Sequence, residues 1–334
     1  IDKNATIINV SETELNKLPT DKRILAVVHA AHGQLRGARK NPQIGKDAFL
    51  SIKREVLNLM RGNLVVSSTG GGTGNGITAS ILEDLTGRDD VASSDKTMFA
   101  LVLPYAKLEP AEFVTNTIGF LQDPLSQAID SGNTGNIFLL SNQLKFESRI
   151  SENKYNAMIA DSMNAFFSLP QKGEVLELLE GHIDYEDFAY YTSRPYFNHF
   201  TYFDFQPDQD FGKQLEANLN PHLLAPDNPI EAMFLLEVPA KAVDTPFYDI
   251  LEYFAKQNVT PTYSVVRNPE RSDYFVTASV LYSRRPDELV DDFNHITQQH
   301  AQAKVRKSLE QHVQLPKLEV NLESEAKRAA KQSG

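Results

Sequence analysis

The sequence predicts an α/β protein, a doubly wound parallel sheet followed by a smaller α+β region. Three observations point there. Through the first half, short and nearly continuous apolar runs alternate with amphipathic stretches, the pattern of parallel strands buried on both faces and joined by helices. In the second half strand-like runs predominate, with a helix between two of them. A chain of 334 residues is also long enough for more than one core.

Taken in order, the predicted strands of the first half are 5–10 (ATIINV), 23–28 (RILAVV), 63–67 (NLVVS), 98–103 (MFALVL) and 136–140 (NIFLL). Helical periodicity covers about 46–60, 76–86, 109–128 and 152–169, so strand, helix and strand repeat with right-handed crossovers. The stretch 152–169 reads as a central helix, which Pro170 and Gly173 are predicted to stop. "EVLELLEGHI" (174–183) reads as helical, and "DYEDFA" as an acidic turn opening a short helix. Strands follow at 200–205, 231–238, 262–267 and 274–282, with a helix around 244–257. A long polar helix spans 287–312, and 318–334 is charged and expected to be loose. The expected division is 1–151, 152–194, 195–312 and a tail at 313–334.

Composition removes several classes of function. There is no cysteine, which excludes disulfides and thiolate metal sites. No stretch approaches the ~20 apolar residues of a membrane-spanning helix, so a cytoplasmic protein without a membrane partner is expected. The net charge of −11 argues against direct nucleic-acid binding, because phosphate neutralisation needs clustered Lys and Arg. The eight histidines include no H-E-x-x-H, and no Ser-His-Asp arrangement rises above chance.

The most informative stretch is "SSTGGGTGNGITASILEDL" (67–85), with five glycines from Gly70 to Gly76 and a helical pattern directly after. A glycine turn between a strand and a helix offers backbone amides to an anion at the positive end of the helix. A P-loop, G-x-x-x-x-G-K-[ST], fits 71–78 except that Ile77 stands where the lysine must be. The dinucleotide pattern G-x-G-x-x-G fails as well. Here glycines recur at every second position, and they follow about the third strand instead of the first. What remains is a turn whose Gly70, Gly71, Gly72, Gly74 and Gly76 amides face an anion, with Thr73 and Asn75 as side-chain donors. So many glycines cost too much ordering entropy for an idle loop.

The run G-G-G-T-G-N-G resembles the signature loop of the tubulin/FtsZ superfamily of GTPases, whose site is assembled from several loops. Other segments are similar in the same order. "NVSETEL" (9–15) is similar to the family's second loop, near base and sugar. "GARKNPQIGKDAF" (37–49) resembles the third loop, which closes over the γ-phosphate; its frame falls on Gly37, Ala38, Asn41, Pro42 and Gly45. "LPYAKLEPAEF" (103–113) stands at the sugar-loop position, which implies Glu109 as the ribose contact. "LLSNQL" (139–144) implies Asn142 beside base and sugar. On the central helix, Asn156 falls where the family places a guanine-reading Asn, whose amide supplies a donor and an acceptor. The resemblance spans about residues 5–300 and implies a tubulin/FtsZ-like fold, GTP and GDP as ligands, Mg²⁺ on the phosphates, and GTP hydrolysis.

"GHIDYEDFAYY" (181–191) carries Asp184, Glu186 and Asp187 just before a helix. Read alone, Asp184 is a helix N-cap with acids well placed against the helix dipole. In the family, the loop after the central helix carries two acids three apart that act on the nucleotide of the next subunit in a filament. Asp184 and Asp187 keep that spacing, with His182 where cell-division sequences carry Asn; a register anchored on Gly181 instead puts Glu186 at the first acid. The wording of this turn and of 38–49 looks most like the TubZ branch, the plasmid- and phage-borne tubulins. That resemblance implies a head-to-tail filament moving DNA through a small DNA-binding adaptor, met through the C-terminal region. A divergent cell-division polymer and a non-polymerising nucleotide-binding regulator are the alternatives.

Ahead of Ile8 the family carries a strand, a G-x-G-G-x-G-type loop and a helix, and this sequence has no room for them. Either about 30 residues bearing that unit stand outside the sequence, or the protein dispenses with the loop. The first is expected, because the sheet would otherwise lose its central strand.

Overall fold

A computed structural model describes residues 4–30 and 33–310; the tail expected at 313–334 lies outside them. The chain opens with β1 (Ile7–Asn9), α1 (Glu12–Leu15) and β2 (Arg23–Leu25), then a hairpin of β3 (His29–Ala30) and β4 (Gly33–Gln34). β1 and β2 pair in parallel, but in a sheet of their own. The main sheet therefore begins later than the alternation of apolar runs predicts. An apolar run marks a strand, while its sheet depends on which neighbour pairs with it.

α2 (Pro42–Leu59) starts ahead of the predicted 46, because capping sets its first turn and apolar periodicity does not. Asn41 is the N-cap, accepting from the Gln43 amide at 3.0 Å, and Pro42 stands at the first position, where its missing N–H costs nothing. Its buried face carries Ala48, Phe49, Ile52 and Val56, at helical spacing. β5 (Leu64–Ser68) leads through the glycine turn into α3 (Thr73–Thr86), then β6 (Thr97–Leu103) and α4 (Ala111–Phe120). A wider turn carrying Pro124 joins α4 to α5 (Ser126–Ser131), followed by β7 (Thr134–Ser141), α6 (Gln143–Glu147) and α7 (Glu152–Phe167).

Two predictions fail next. α7 ends at Phe167, within two residues of the predicted 169, but Pro170 and Gly173 are not its stop. They lie inside a new helix, α8 (Leu169–Val175), with Pro170 in its first turn, where proline is tolerated. The stretch predicted to be helical from 174 instead gives β8 (Glu177–Gly181), because it finds a partner strand and pairing outweighs propensity. Then come α9 (Tyr185–Thr192), β9 (Phe197–Phe205), α10 (Phe211–Ala217), β10 (Pro229–Pro239), α11 (Tyr248–Lys256), β11 (Thr262–Asn268), β12 (Tyr274–Tyr282) and α12 (Pro286–Glu310). Of the described residues, those up to 294 make one compact unit and 295–310 belong to another. No helix among the described residues is long and apolar enough to cross a membrane.

The eight-stranded sheet has the order β5-β6-β7-β9-β12-β10-β11-β8. β5, β6 and β7 are parallel, and β9 joins β7 in parallel through the pair Ile137–Phe197. β12 is antiparallel to β9 and β10, β11 is parallel to β10, and β8 is antiparallel to β11. Following these directions across the sheet, β8 runs opposite to β5, β6 and β7. Its C-terminal end therefore lies where those three strands begin. α9, which follows β8, sits at that end too: Asn136, near the start of β7, donates to the carbonyls of Tyr191 and Arg194 at 3.0 and 2.9 Å.

Candidate functional site

Loops at the carboxyl ends of parallel strands are where α/β sheets bind ligands. After β5, Thr69 is buried and fixed. Its amide donates to the Val102 carbonyl at 3.1 Å, and its hydroxyl lies 2.8 Å from that of Thr117 on α4. The turn then enters α3 with Gly72 as the N-cap and no capping side chain. The Gly76 amide, expected to face an anion, instead makes the first helical bond, to the Gly72 carbonyl at 3.0 Å, and the amides of Gly70 through Asn75 meet no acceptor among the described residues. Uncapped amides at the positive end of a helix are an anion-binding arrangement.

The glycines also pack. A Cβ on Gly72 would stand 2.7 Å from Ala38 Cβ and 2.8 Å from the Asn41 amide nitrogen, and one on Gly76 would meet the Lys46 nitrogen at 2.6 Å. Gly70 and Gly74 abut Phe113 and Ser67 in the same way, whereas Gly71 faces open space. Thr73 stays partly exposed at the first position of α3. Asn75 departs from its expected role. It is buried, and its side-chain amide donates to the Thr69 carbonyl and, at 3.1 Å, to that of Asn116. Its side chain braces the turn and leaves only its backbone amide for a ligand.

The 37–41 loop lies directly against this turn. Ala38 is buried, its carbonyl accepts from the Asn41 amide at 2.8 Å, and Gly37 has open space beside it. Arg39 and Lys40 are exposed and both left-handed, with φ of 49° and 61°. Between the loop and α4 a cavity of about 420 Å³ opens, lined by Lys40, Asn41, Pro42, Glu112, Thr115 and Asn116 among others.

At the ends of β6 and β7 the structure joins two of the predicted residues. Asn142 donates to the Glu109 carboxylate at 3.1 Å, and the Tyr105 amide donates to the same oxygen at 2.6 Å. Tyr155 is buried and donates its hydroxyl to the Ser141 carbonyl, tying α7 to the end of β7. Burial, and then the charge of Glu109, push the Tyr155 hydroxyl up to about 12. Asn156, the next residue, is exposed on α7.

The acidic turn is elsewhere. Asp184 caps α9 by accepting from the Asp187 amide at 2.7 Å, while Glu186 and Asp187 are exposed. It lies at the end of the sheet where β5, β6 and β7 start, and the glycine turn lies where they finish. The seven residues of β6 alone span roughly 20 Å.

No protein-family model and no curated protein sequence matches the chain. Solved structures do match its backbone. TubZ of Clostridium botulinum phage c-st aligns with a TM-score of 0.61 at 18% identity, over 90% of this chain and 90% of that one. TubZ of Bacillus thuringiensis serovar israelensis, solved as a GTPγS-form protofilament, aligns with a TM-score of 0.66 at 13% identity, over 92% and 86%. CetZ from Methanosaeta thermophila strain DSM 6194 gives 0.61 at 17% identity, over 98% and 87%. The fold is that of the tubulin/FtsZ superfamily.

Within this tubulin-like fold, several residues at the site escape a sequence reading. Asn116 donates to the carbonyls of Lys40 and Gly70, both at 2.9 Å, and Phe113 packs on Gly70. The one available signal is an asparagine in a helix interior, a poor place for it unless its amide has work elsewhere. Among the described residues no three His, Asp or Glu side chains gather to hold a metal ion.

Proposed function

We propose that this chain binds and hydrolyses GTP and polymerises head to tail, one copy holding the nucleotide and the acidic turn of the next completing the site. The observation that carries this reading is that the uncapped amides of 70–75 and the acids of 184–187 stand at opposite ends of one sheet. No single copy brings them together, whereas a head-to-tail contact does, and repetition of such a contact builds an open filament. The tubulin-like fold supports it, as does the protofilament form of the Bacillus TubZ.

In this reading the amides of Gly70, Gly71, Gly72, Thr73, Gly74 and Asn75 hold the phosphates, and Gly37, Ala38, Asn41 and Pro42 close over the terminal one. Glu109 and Asn142 face the ribose, and Asn156 reads guanine. A water held by the incoming Asp187 and Asp184 attacks the terminal phosphorus. The bond to the bridging oxygen breaks, a proton of the water passes to the phosphate oxygens, and GDP and phosphate leave. Asp187 has the freer carboxylate of the two, since Asp184 also caps α9. With no carboxylate cage among the described residues, Mg²⁺ would enter on the phosphates, where it neutralises charge.

The finer reading is that the filament moves plasmid or phage DNA through a separate DNA-binding adaptor; a net charge of −11 favours an adaptor over direct contact. Filaments that pellet DNA without any added protein would remove that reading. One observation favours a second function, a non-polymerising nucleotide-binding regulator: Asp184 already has a structural role as a cap. Light scattering with and without GTP at micromolar protein separates the two. The filament reading also expects Asp187→Ala to assemble, hydrolyse slowly and give long-lived polymer. Unchanged turnover in both Asp184→Ala and Asp187→Ala overturns the shared site.

A further inference from the structure

We propose that Asn116 is a positioning residue that locks the 37–41 loop to the glycine turn and so sets the preference for a triphosphate over a diphosphate. This rests on the nucleotide reading of the site. Asn116 lies inside α4, and its amide reaches two carbonyls on separate segments, Lys40 and Gly70, each at 2.9 Å. Its own carbonyl accepts from Asn75 at 3.1 Å, and Asn75 also holds Thr69. One residue thus joins α4, the end of β5, the start of α3 and the loop.

The loop's own bond, from the Asn41 amide to the Ala38 carbonyl at 2.8 Å, closes a turn whose two central residues are strained. Arg39 and Lys40 both occupy the left-handed region, which side-chain-bearing residues adopt in succession only where their surroundings enforce it. Asn41 bonds back to Ala38, and both rest on Gly72, but Asn116 acts on the strained residue itself. The same amide grips Gly70, the first of the unpaired amides. Lys40 is held nearby, its Nζ 5.3 Å from the centre of the Phe113 ring that packs on Gly70. Locking the loop therefore keeps one cation, the Lys40 ammonium, beside the turn at the Phe113 ring. In this proposal an anion seated on the amides gains from that cation most when it carries a third phosphate.

The test uses the full chain and fluorescent GTPγS and GDP analogues, with affinities read by anisotropy and folding by thermal melting. Asn116→Asp keeps the shape but turns an acceptor toward two carbonyls. It is expected to weaken the triphosphate about tenfold and the diphosphate less than about threefold. Asn116→Ala, which adds no charge, should show the same selectivity with a drop of about fivefold and serves if the Asp variant does not fold. Thr117→Val removes the neighbouring tie to Thr69; it should lower the melting temperature and leave the ratio of the two affinities unchanged. An unchanged ratio in the folded Asn116 variants, or an equal fall for both nucleotides, overturns the proposal while the nucleotide reading stands. A wild-type chain that binds neither nucleotide overturns both.

Discussion

At one end of the sheet the glycine turn is folded into the interior, with Gly70, Gly72 and Asn75 buried and Gly72 seated on Ala38 and Asn41. Its unanswered groups are backbone amides, which packing holds in place. At the other end the acidic turn stands in solvent. Tyr185 is 54% exposed, Glu186 and Asp187 are exposed, and the turn is held only from behind, by the cap bond at Asp184 and by the Ile183 amide donating to the Ser264 hydroxyl at 2.6 Å. Donors fixed by packing are preorganised and hold a ligand within one chain. Carboxylates on an exposed helix start serve only what is brought to them.

The largest effect that would break this contrast is expected at Gly76. A methyl group there overlaps the Pro42 carbonyl and meets the Lys46 nitrogen at 2.6 Å, so Gly76→Ala forces α2 and α3 apart. Denaturant unfolding should show a loss of about 3 kcal/mol or more. Gly71→Ala faces open space and should leave stability within about 0.5 kcal/mol while weakening nucleotide binding. Full nucleotide affinity in Gly71→Ala breaks the claim that the turn's amides touch phosphate.

Between the two ends, buried His199 on β9 gives the interior a pH dependence. Its Nε2 accepts from the Asn220 amide at 3.1 Å, so the neutral ring carries its hydrogen on Nδ1 and donates to the Leu224 carbonyl at 2.8 Å. Burial pulls its pKa from 6.5 down to about 4, with the Leu224 carbonyl opposing part of that shift. The folded value lies below the unfolded one. The stabilisation is therefore complete above pH 6.5 and is lost as the pH falls from 6.5 towards 4, up to about 3 kcal/mol in all. Urea unfolding at pH 7 and pH 4 checks it. His199→Gln, which cannot ionise, should lose less stability over that range than wild type, and an equal loss sinks the assignment.

The smallest effects sharpen the acidic end. Asp184→Ala should cost about 1 kcal/mol, the worth of a cap, and Asp187→Ala should stay within about 0.5 kcal/mol. Equal losses in the two would erase the distinction between a capping acid and a free one.

Most of the local features of both ends are legible in the sequence. The glycine run marks a strand-to-helix turn and Asp184 reads as a cap; each acts within a few residues of itself, whereas α2 begins at Pro42, ahead of the predicted 46. Asn75 shows the limit of such reading. Its place in a glycine loop suggests a donor to the ligand, but its amide is used by Thr69 and Asn116. β8 shows the same limit at the level of an element, since "EVLELLEGHI" has helical spacing and becomes partly a strand because β11 lies beside it.

By itself, then, the sequence determined the α/β alternation, the amide-bearing turn and the spacing of the acids, because backbone preferences and capping are short-range. Only the tertiary structure decided that β1 and β2 pair apart from the main sheet, and that the two turns face opposite ways. It also decided that Asn116 meets Lys40 and Gly70, which lie 76 and 46 residues away in the chain. Partners that distant are chosen by how helices and strands pack, and no local pattern carries that information.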